Sequence, residues 1–121
     1  MKESIIKTKS YQFSLRIIKL YRHLAEDKKE YILSKRILRC GTYIGANVEE
    51  ASGAQSKKDF IAKFHISLKE AKETHYWLRL IKDSDYCEQM LIDSFLKDCG
   101  ELIVIITSIL KSSKVLVIIN A

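Results

Sequence analysis

The chain of 121 residues contains no proline and only four glycines, Gly41, Gly45, Gly53 and Gly100. The residues that normally punctuate strands and hairpins are nearly missing, and helices follow from that. Cysteine is also sparse: Cys40, Cys87 and Cys99 are odd in number and widely spaced, without a C-x-x-C pair or a clustered histidine. That pattern argues against both a disulfide framework and a zinc site. Cys40 and Cys99 fall at apolar helical positions, where a reduced cysteine acts as a small hydrophobe. Long hydrophobic runs are missing as well. The stretch Met1-Lys2-Glu3-Ser4-Ile5-Ile6-Lys7 carries charge where a signal peptide needs continuous apolar residues. The segment from Leu102 to Leu110 is interrupted by Thr107 and Ser108 and followed by Lys111, well short of the roughly 20 residues that cross a bilayer. A cytoplasmic protein with neither export signal nor transmembrane helix is expected.

Recognisable catalytic patterns are absent too. No G-x-x-x-x-G-K or G-x-G-x-x-G cradle for phosphate occurs, and nothing marks a nucleophile with a positioned base. A carboxylate metal bundle needs Glu-x-x-His pairs on two helices. The nearest approach is Glu70, Glu73 and His75, whose spacing is Glu-x-His, and His23 and His65 lack acidic partners at ligand spacing. No enzyme, metal or cofactor is expected.

The composition, 47% hydrophobic and 30% charged, belongs to a folded globular chain. Its length suits one domain spanning 1–121 with a single core. Helical periodicity appears first over 8–27, where Phe13, Ile17, Leu20, Tyr21 and Leu24 form a stripe that Ser10 is placed to cap. A second line, Tyr11, Leu15 and Ile18, widens it beyond one partner helix. Over 30–54, Leu33, Ile37, Cys40, Ile44, Asn47 and Ala51 alternate spacings of four and three, the seam of a bundle. Gly41 and Gly45 within it each cost roughly 1 kcal/mol of helix propensity against alanine, which points to a close neighbouring helix or a local kink.

Ser52-Gly53-Ala54-Gln55-Ser56 reads as a turn, with Ser56 as N-cap and Asp59 near the positive end of a helix over 57–82. Phe60, Phe64, Ser67, Ala71, Thr74, Leu78 and Ile81 repeat the four-and-three seam. A fourth helix over 87–112 shows two apolar faces: Leu91, Phe95, Leu102, Ile106 and Ile109 on one, Ile92, Cys99, Ile103 and Leu110 on the other. So much apolar circumference calls for neighbours on several sides, and self-association is expected. The tail over 113–121, with Val115-Leu116-Val117-Ile118-Ile119, is open to three readings: more helix, a strand, or docking on another subunit. Short connections between consecutive helices give an all-α, antiparallel up-down-up-down four-helix bundle.

The net charge of +6 lies in the first half, where residues 1–60 hold 13 Lys/Arg against 7 Asp/Glu, while 61–121 hold 8 of each. A basic face on the first two helices would attract a polyanion; a merely solvated helix surface is the alternative that charge alone leaves open. Arg16, Lys19 and Arg22 on the first helix and Lys35, Arg36 and Arg39 on the second each line one helix side, as phosphate tracking requires. Tyr76 and Trp77 offer stacking faces, although aromatics at helical spacing more often pack into cores or interfaces. Asn47 sits at a core register position, where a polar residue commonly fixes register.

Residues 8–112 resemble the four-helix-bundle proteins encoded in intervening sequences of bacterial 23S rRNA genes. The likeness is carried by Ile44-Gly45-Ala46-Asn47-Val48-Glu49-Glu50-Ala51, by Ser56-Lys57-Lys58-Asp59-Phe60 and by Ser67-Leu68-Lys69-Glu70-Ala71-Lys72-Glu73-Thr74. The family often has proline where this chain has Gly45 and glycine where it has Ala51. The resemblance implies a ring-like homopentamer without assigned enzymatic activity, and a structural role for Asn47, Glu50, Ser56, Lys57, Phe60 and Glu73. A related group, the accessory protein of diversity-generating retroelements, is a basic pentameric bundle that binds nucleic acid and a reverse transcriptase. The expectation is therefore a homo-oligomer that binds RNA or DNA through a basic surface on helices one and two. The alternative is a scaffold that docks a partner protein on exposed apolar helix faces.

Overall fold

The computed structural model describes residues 2–120, and side chains as far as Ser113. Four helices make the bundle: α1 (Lys2–Arg22), α2 (Leu33–Ser52), α3 (Lys57–Asp83) and α4 (Gln89–Asn120). No strand occurs among the described residues.

The helix ends follow local chemistry. α1 begins about two turns earlier than its periodicity predicts, because Ile6 is fully buried and draws the preceding turn onto the bundle. Ser10 is not a cap. It is buried inside α1, where its hydroxyl donates to the Lys7 carbonyl at 3.3 Å. The helix then widens over His23–Asp27, with the Lys28 amide reaching the His23 carbonyl at 3.2 Å. Lys29, at φ 55°, takes a left-handed conformation that turns the chain. Glu30 lies outside α2 and caps it: its carboxylate accepts from the amides of Leu33 at 3.0 Å and Ser34 at 2.7 Å. An acceptor charge at a helix N-terminus satisfies otherwise orphaned donors. At α3, the Ser56 hydroxyl accepts from the Asp59 amide at 3.0 Å, the capping geometry its position predicts.

Side-chain contacts give the directions. From α1 to α4, Lys2 meets Ser108, Lys9 meets Glu101 and Arg16 meets Asp98. From α2 to α3, Arg39 meets Glu70, Ser67 donates to the Ile44 carbonyl, and Lys63 meets Glu50. From α3 to α4, Lys82 meets Asp93, and the Cys99 thiol donates to the Ala71 carbonyl. In each pair one number rises as the other falls, so these neighbours run antiparallel.

The seams lie where the four-and-three spacing puts them. Ile37, Cys40, Ile44 and Ala51 of α2 face Phe64, Ala71, Leu78 and Ile81 of α3 in one continuous core. Each fully buried Ile, Leu or Phe adds roughly 1.5–3 kcal/mol of transfer free energy. Gly41 and Gly45 mark a close helix approach: a Cβ on Gly41 would stand 2.9 Å from Ile17, and one on Gly45 would stand 3.2 Å from the Ser10 carbonyl oxygen. The backbone of α2 therefore comes close to α1 because those side chains are missing.

Among the described residues, most of the two apolar faces of α4 is covered inside the chain, while Leu91 at the start of the first face is exposed. Phe95, Leu102, Ile106 and Ile109 on one side and Ile92, Cys99 and Leu110 on the other are all buried, with Ile103 partly so. Lying between α1 and α3, α4 finds within one protomer the neighbours that periodicity would assign to other subunits. Exposed apolar residues include Tyr11 at 63%, Leu15 at 47% and Ile5 at 45% on α1, Met90 at 86% and Val104 at 68% on α4, and Ile32 at 72% between α1 and α2. α4 continues to Asn120, so the tail is helical up to that residue. The docking reading of the tail concerns side chains outside the described residues. No described helix is long and apolar enough to cross a membrane.

This packing makes opposite predictions for two glycines. Gly41→Ala forces a methyl against fully buried Ile17 and should lower unfolding free energy by about 1–3 kcal/mol, an overpacking cost. Gly100→Ala meets nothing within 4 Å and should raise it by up to about 1 kcal/mol through helix propensity; urea melts of both variants check the opposite signs. Burial pushes the Cys40 thiol up to about 11 and the Cys99 thiol up to about 12, leaving little thiolate at neutral pH. Thiol titration of the native protein should therefore modify the half-buried Cys87 first, with the other two reacting only after unfolding.

Candidate nucleic-acid interface

Of the six predicted phosphate contacts, Arg16 and Lys19 of α1 lie beside α4, and Arg36 and Arg39 of α2 lie beside α3. The Arg16 guanidinium pairs with Asp98, donates to the Ser94 hydroxyl at 2.9 Å, and covers the Phe95 ring at 4.1 Å from its centroid. This arginine is tied to α4. Lys19 is exposed and lines a cleft between α1 and α4 beside Leu20, His23 and Leu91, while Arg22 is exposed near the end of α1. On α2, Lys35, Arg36 and Arg39 are all exposed. Arg36 lies over Trp77 of α3 at 5.7 Å, and Arg39 over Tyr43 at 5.0 Å.

Of the residues expected on one basic surface, Arg16 and Lys19 lie beside α4 and Arg36 and Arg39 beside α3, while Arg22 and Lys35 are exposed without such contacts among the described residues. α1 and α2 pack small and apolar residues against each other at Gly41 and Gly45. Arg16 and Lys19 are left toward α4, and Arg36 and Arg39 toward α3. The α1–α4 and α2–α3 edges lie on opposite sides of the bundle.

The α2–α3 edge has the richer chemistry. Tyr76 and Trp77 meet edge to face at 5.2 Å, Arg79 covers Tyr76 at 5.6 Å, and the Trp77 indole N–H donates to Glu73 at 3.0 Å. Arg36, Trp77, Tyr76 and Arg79 thus form a chain of cation–ring and ring–ring contacts, and Arg39 with Tyr43 forms a second pair one turn along α2. Beside them runs an open groove of about 550 Å³ whose lining includes Arg39, Tyr43, Asn47, Glu50, Lys69 and Glu70.

Glu70 is the unusual member. It is 6% exposed, and its Oε2 has no hydrogen-bond partner. Arg39 Nη1 stands 3.9 Å away, too far to donate a good hydrogen bond. A buried acceptor left in this way costs about 1–3 kcal/mol, and more for a charged group. Desolvation pushes the Glu70 carboxyl above its ordinary value, with the Glu73 charge adding to the rise and Arg39 and Lys69 opposing it. Desolvation and the charge of Arg79 hold His75 below the usual histidine range. Among the described residues, no group of three or more His, Cys, Asp or Glu is placed to hold a metal ion.

The expected family-signature residues make the following contacts. Asn47 is buried and donates to the Tyr43 carbonyl at 2.8 Å. Glu50 pairs with Lys63 at 3.0 Å, tying α2 to α3 and raising the lysine pKa through that hydrogen bond. Lys57 covers Phe60 at 5.1 Å, and Phe60 packs on Phe64 at 4.8 Å between centroids. Tyr43 and Arg79 carry no motif that singles them out in the sequence, and Lys69 and Glu70 appear only within the Ser67–Thr74 stretch of the resemblance and, for Glu70, in a spacing that approaches a metal ligand's. The i, i+3 and i+4 spacing of Arg36, Arg39 and Tyr43 is the available signal for one of them.

The family model described as 23S rRNA-intervening sequence protein matches residues 2–108. Among solved structures, the chain is similar to a protein of unknown function from the S23 ribosomal protein family of Bacteroides thetaiotaomicron VPI-5482. The two are 46% identical with a TM-score of 0.90 over 92% of this chain and 99% of that one. No curated protein matches.

Glu70 supplies a pH test. A carboxyl whose pKa rises on folding leaves the folded state carrying the ionisation penalty above that raised value, and none below the unfolded value near 4.5. Glu70→Gln should therefore raise the melting temperature at pH 7, and the gain should shrink as pH falls through the raised value and vanish below about 4. Melts across that range check it.

Proposed function

Since the chain belongs to the 23S rRNA-intervening sequence protein family, we propose that it is a non-enzymatic homo-oligomeric bundle that binds nucleic acid along the α2–α3 edge. The observation that carries this reading is the pairing of Arg36, Arg39 and Arg79 with Trp77, Tyr43 and Tyr76 on one side of the molecule. Guanidinium groups track phosphate, and flanking aromatic faces stack on unpaired bases. A single strand of RNA or DNA suits that combination, because a duplex hides its base faces.

Self-association is supported by the exposed apolar residues of α1, Tyr11, Leu15 and Ile5, and a pentamer is the assembly that the resemblance implies. The same residues favour the second reading, a scaffold that docks a partner protein. The two separate by size: self-association leaves the purified protein larger than 14.0 kDa in light scattering, whereas a scaffold awaiting its partner is monomeric.

Binding should be measured by fluorescence anisotropy with labelled single-stranded oligonucleotides over a salt series. Arg36→Ala, Arg39→Ala and Arg79→Ala together should weaken binding at least tenfold and lower the salt slope by roughly 0.7 for each phosphate no longer neutralised. Lys19→Ala with Arg22→Ala should change little. Failure to bind at micromolar protein and low salt, or an equal weakening from the α1 pair, would overturn the reading.

A further inference from the structure

The groove beside Arg39 has acceptors on its floor, cations at its rim and an aromatic wall. On the floor, Glu70 Oε2 is buried without a hydrogen-bond donor. Asn47 has committed its amide nitrogen to the Tyr43 carbonyl, which leaves its side-chain oxygen as an acceptor. At the rim stand Arg39 and Lys69, and Glu50, which also lines the groove, is paired with Lys63 at 3.0 Å. Arg39 is 60% exposed and only loosely held, 3.9 Å from the carboxylate, so it can swing outward and uncover the floor. The wall is Tyr43, 45% exposed.

A ligand for this groove needs paired donors for the carboxylate, a flat face for Tyr43, and negative charge for the rim. A guanidinium or ammonium group supplies donors, but Arg39 and Lys69 repel it. A nucleobase carried on phosphate supplies all three. Among the bases, guanine alone presents two parallel donors, its N1–H and its exocyclic amine, on the edge that pairing normally uses. Adenine and cytosine offer one amine beside a ring acceptor, and uracil or thymine one N–H between two carbonyls; those acceptors are repelled by a carboxylate.

We propose that this groove seats an unpaired guanine of a single-stranded nucleic acid, with Glu70 accepting from its base edge, Tyr43 stacking on it, and Arg39 and Lys69 holding the adjacent phosphates. The proposal rests on the reading of the α2–α3 edge as a nucleic-acid surface. It adds base selectivity to what that surface otherwise does without regard to sequence. It also gives a use to a carboxylate that the fold buries without a donor.

The test compares three short labelled oligomers on the wild-type protein: oligothymidylate, the same oligomer with spaced single guanines, and the same again with inosine at those places. Guanine should tighten binding about tenfold or more. Inosine, which lacks the exocyclic amine, should lose most of that gain. Glu70→Gln should bind all three with the affinity the wild type has for oligothymidylate. If the guanine oligomer binds no better than oligothymidylate, or if folded Glu70→Gln keeps the preference, the guanine seat is overturned while the nucleic-acid reading stands. Absence of binding to every oligomer would overturn both. Should Glu70→Gln fail to fold, the inosine comparison on wild-type protein decides the matter.

Discussion

The close approach of α2 to α1 at Gly41 and Gly45 is the constraint on which the rest of the arrangement depends. With no Cβ at either position, Ile17 and the Ser10 backbone of α1 occupy the space that larger residues would take. That contact sets the rotation of α2 about its own axis. One side, with Gly41, Gly45 and Val48, is turned to α1 or the core, and the side with Arg36, Arg39 and Tyr43 comes to lie against α3. Two glycines within a helix sacrifice propensity of roughly 1 kcal/mol each, and dense packing against a fully buried isoleucine offsets it.

Polar groups are handled differently at the two outer edges of the bundle. Along α1–α4, Lys9 pairs with Glu101, and Arg16 pairs with Asp98 and Ser94 while covering Phe95; Lys19 is left exposed. Along α2–α3, Lys63 pairs with Glu50, but Arg36 and Arg39 lie over aromatic rings and one buried carboxylate has no donor. Paired surface charges satisfy one another and have little left to offer a ligand. Guanidinium groups over rings keep their N–H donors directed outward. The asymmetry in available chemistry, more than the net charge, is what distinguishes a binding face from a solvated one.

The seams of α2 and α3 are legible in the sequence because spacing of four and three places Ile37, Cys40, Ile44, Phe64, Ala71, Leu78 and Ile81 on one side whatever the neighbour is. The Ser56 cap is legible because capping is decided within three residues. Ser10 and Glu30 depart from their local patterns for the converse reason. A serine can cap or back-bond inside a helix, and only the burial of Ile6 decides that α1 has already begun. Both faces of α4 are plainly apolar in the sequence, but periodicity counts faces without saying whose neighbours cover them. The separation of the basic residues onto opposite edges is not legible, since it depends on how two helices are rotated against each other. Glu70 carries no local signal of its isolation: its missing donor is a property of the packed pair.

The central claim is that the α2–α3 edge, and not the α1–α4 edge, meets nucleic acid. Ultraviolet crosslinking of a single-stranded oligonucleotide to the native protein, followed by mass-spectrometric mapping, tests it most directly. The account predicts adducts on peptides containing Tyr43, Tyr76 or Trp77. Adducts confined to Tyr11, Tyr21 or Phe95 would contradict it.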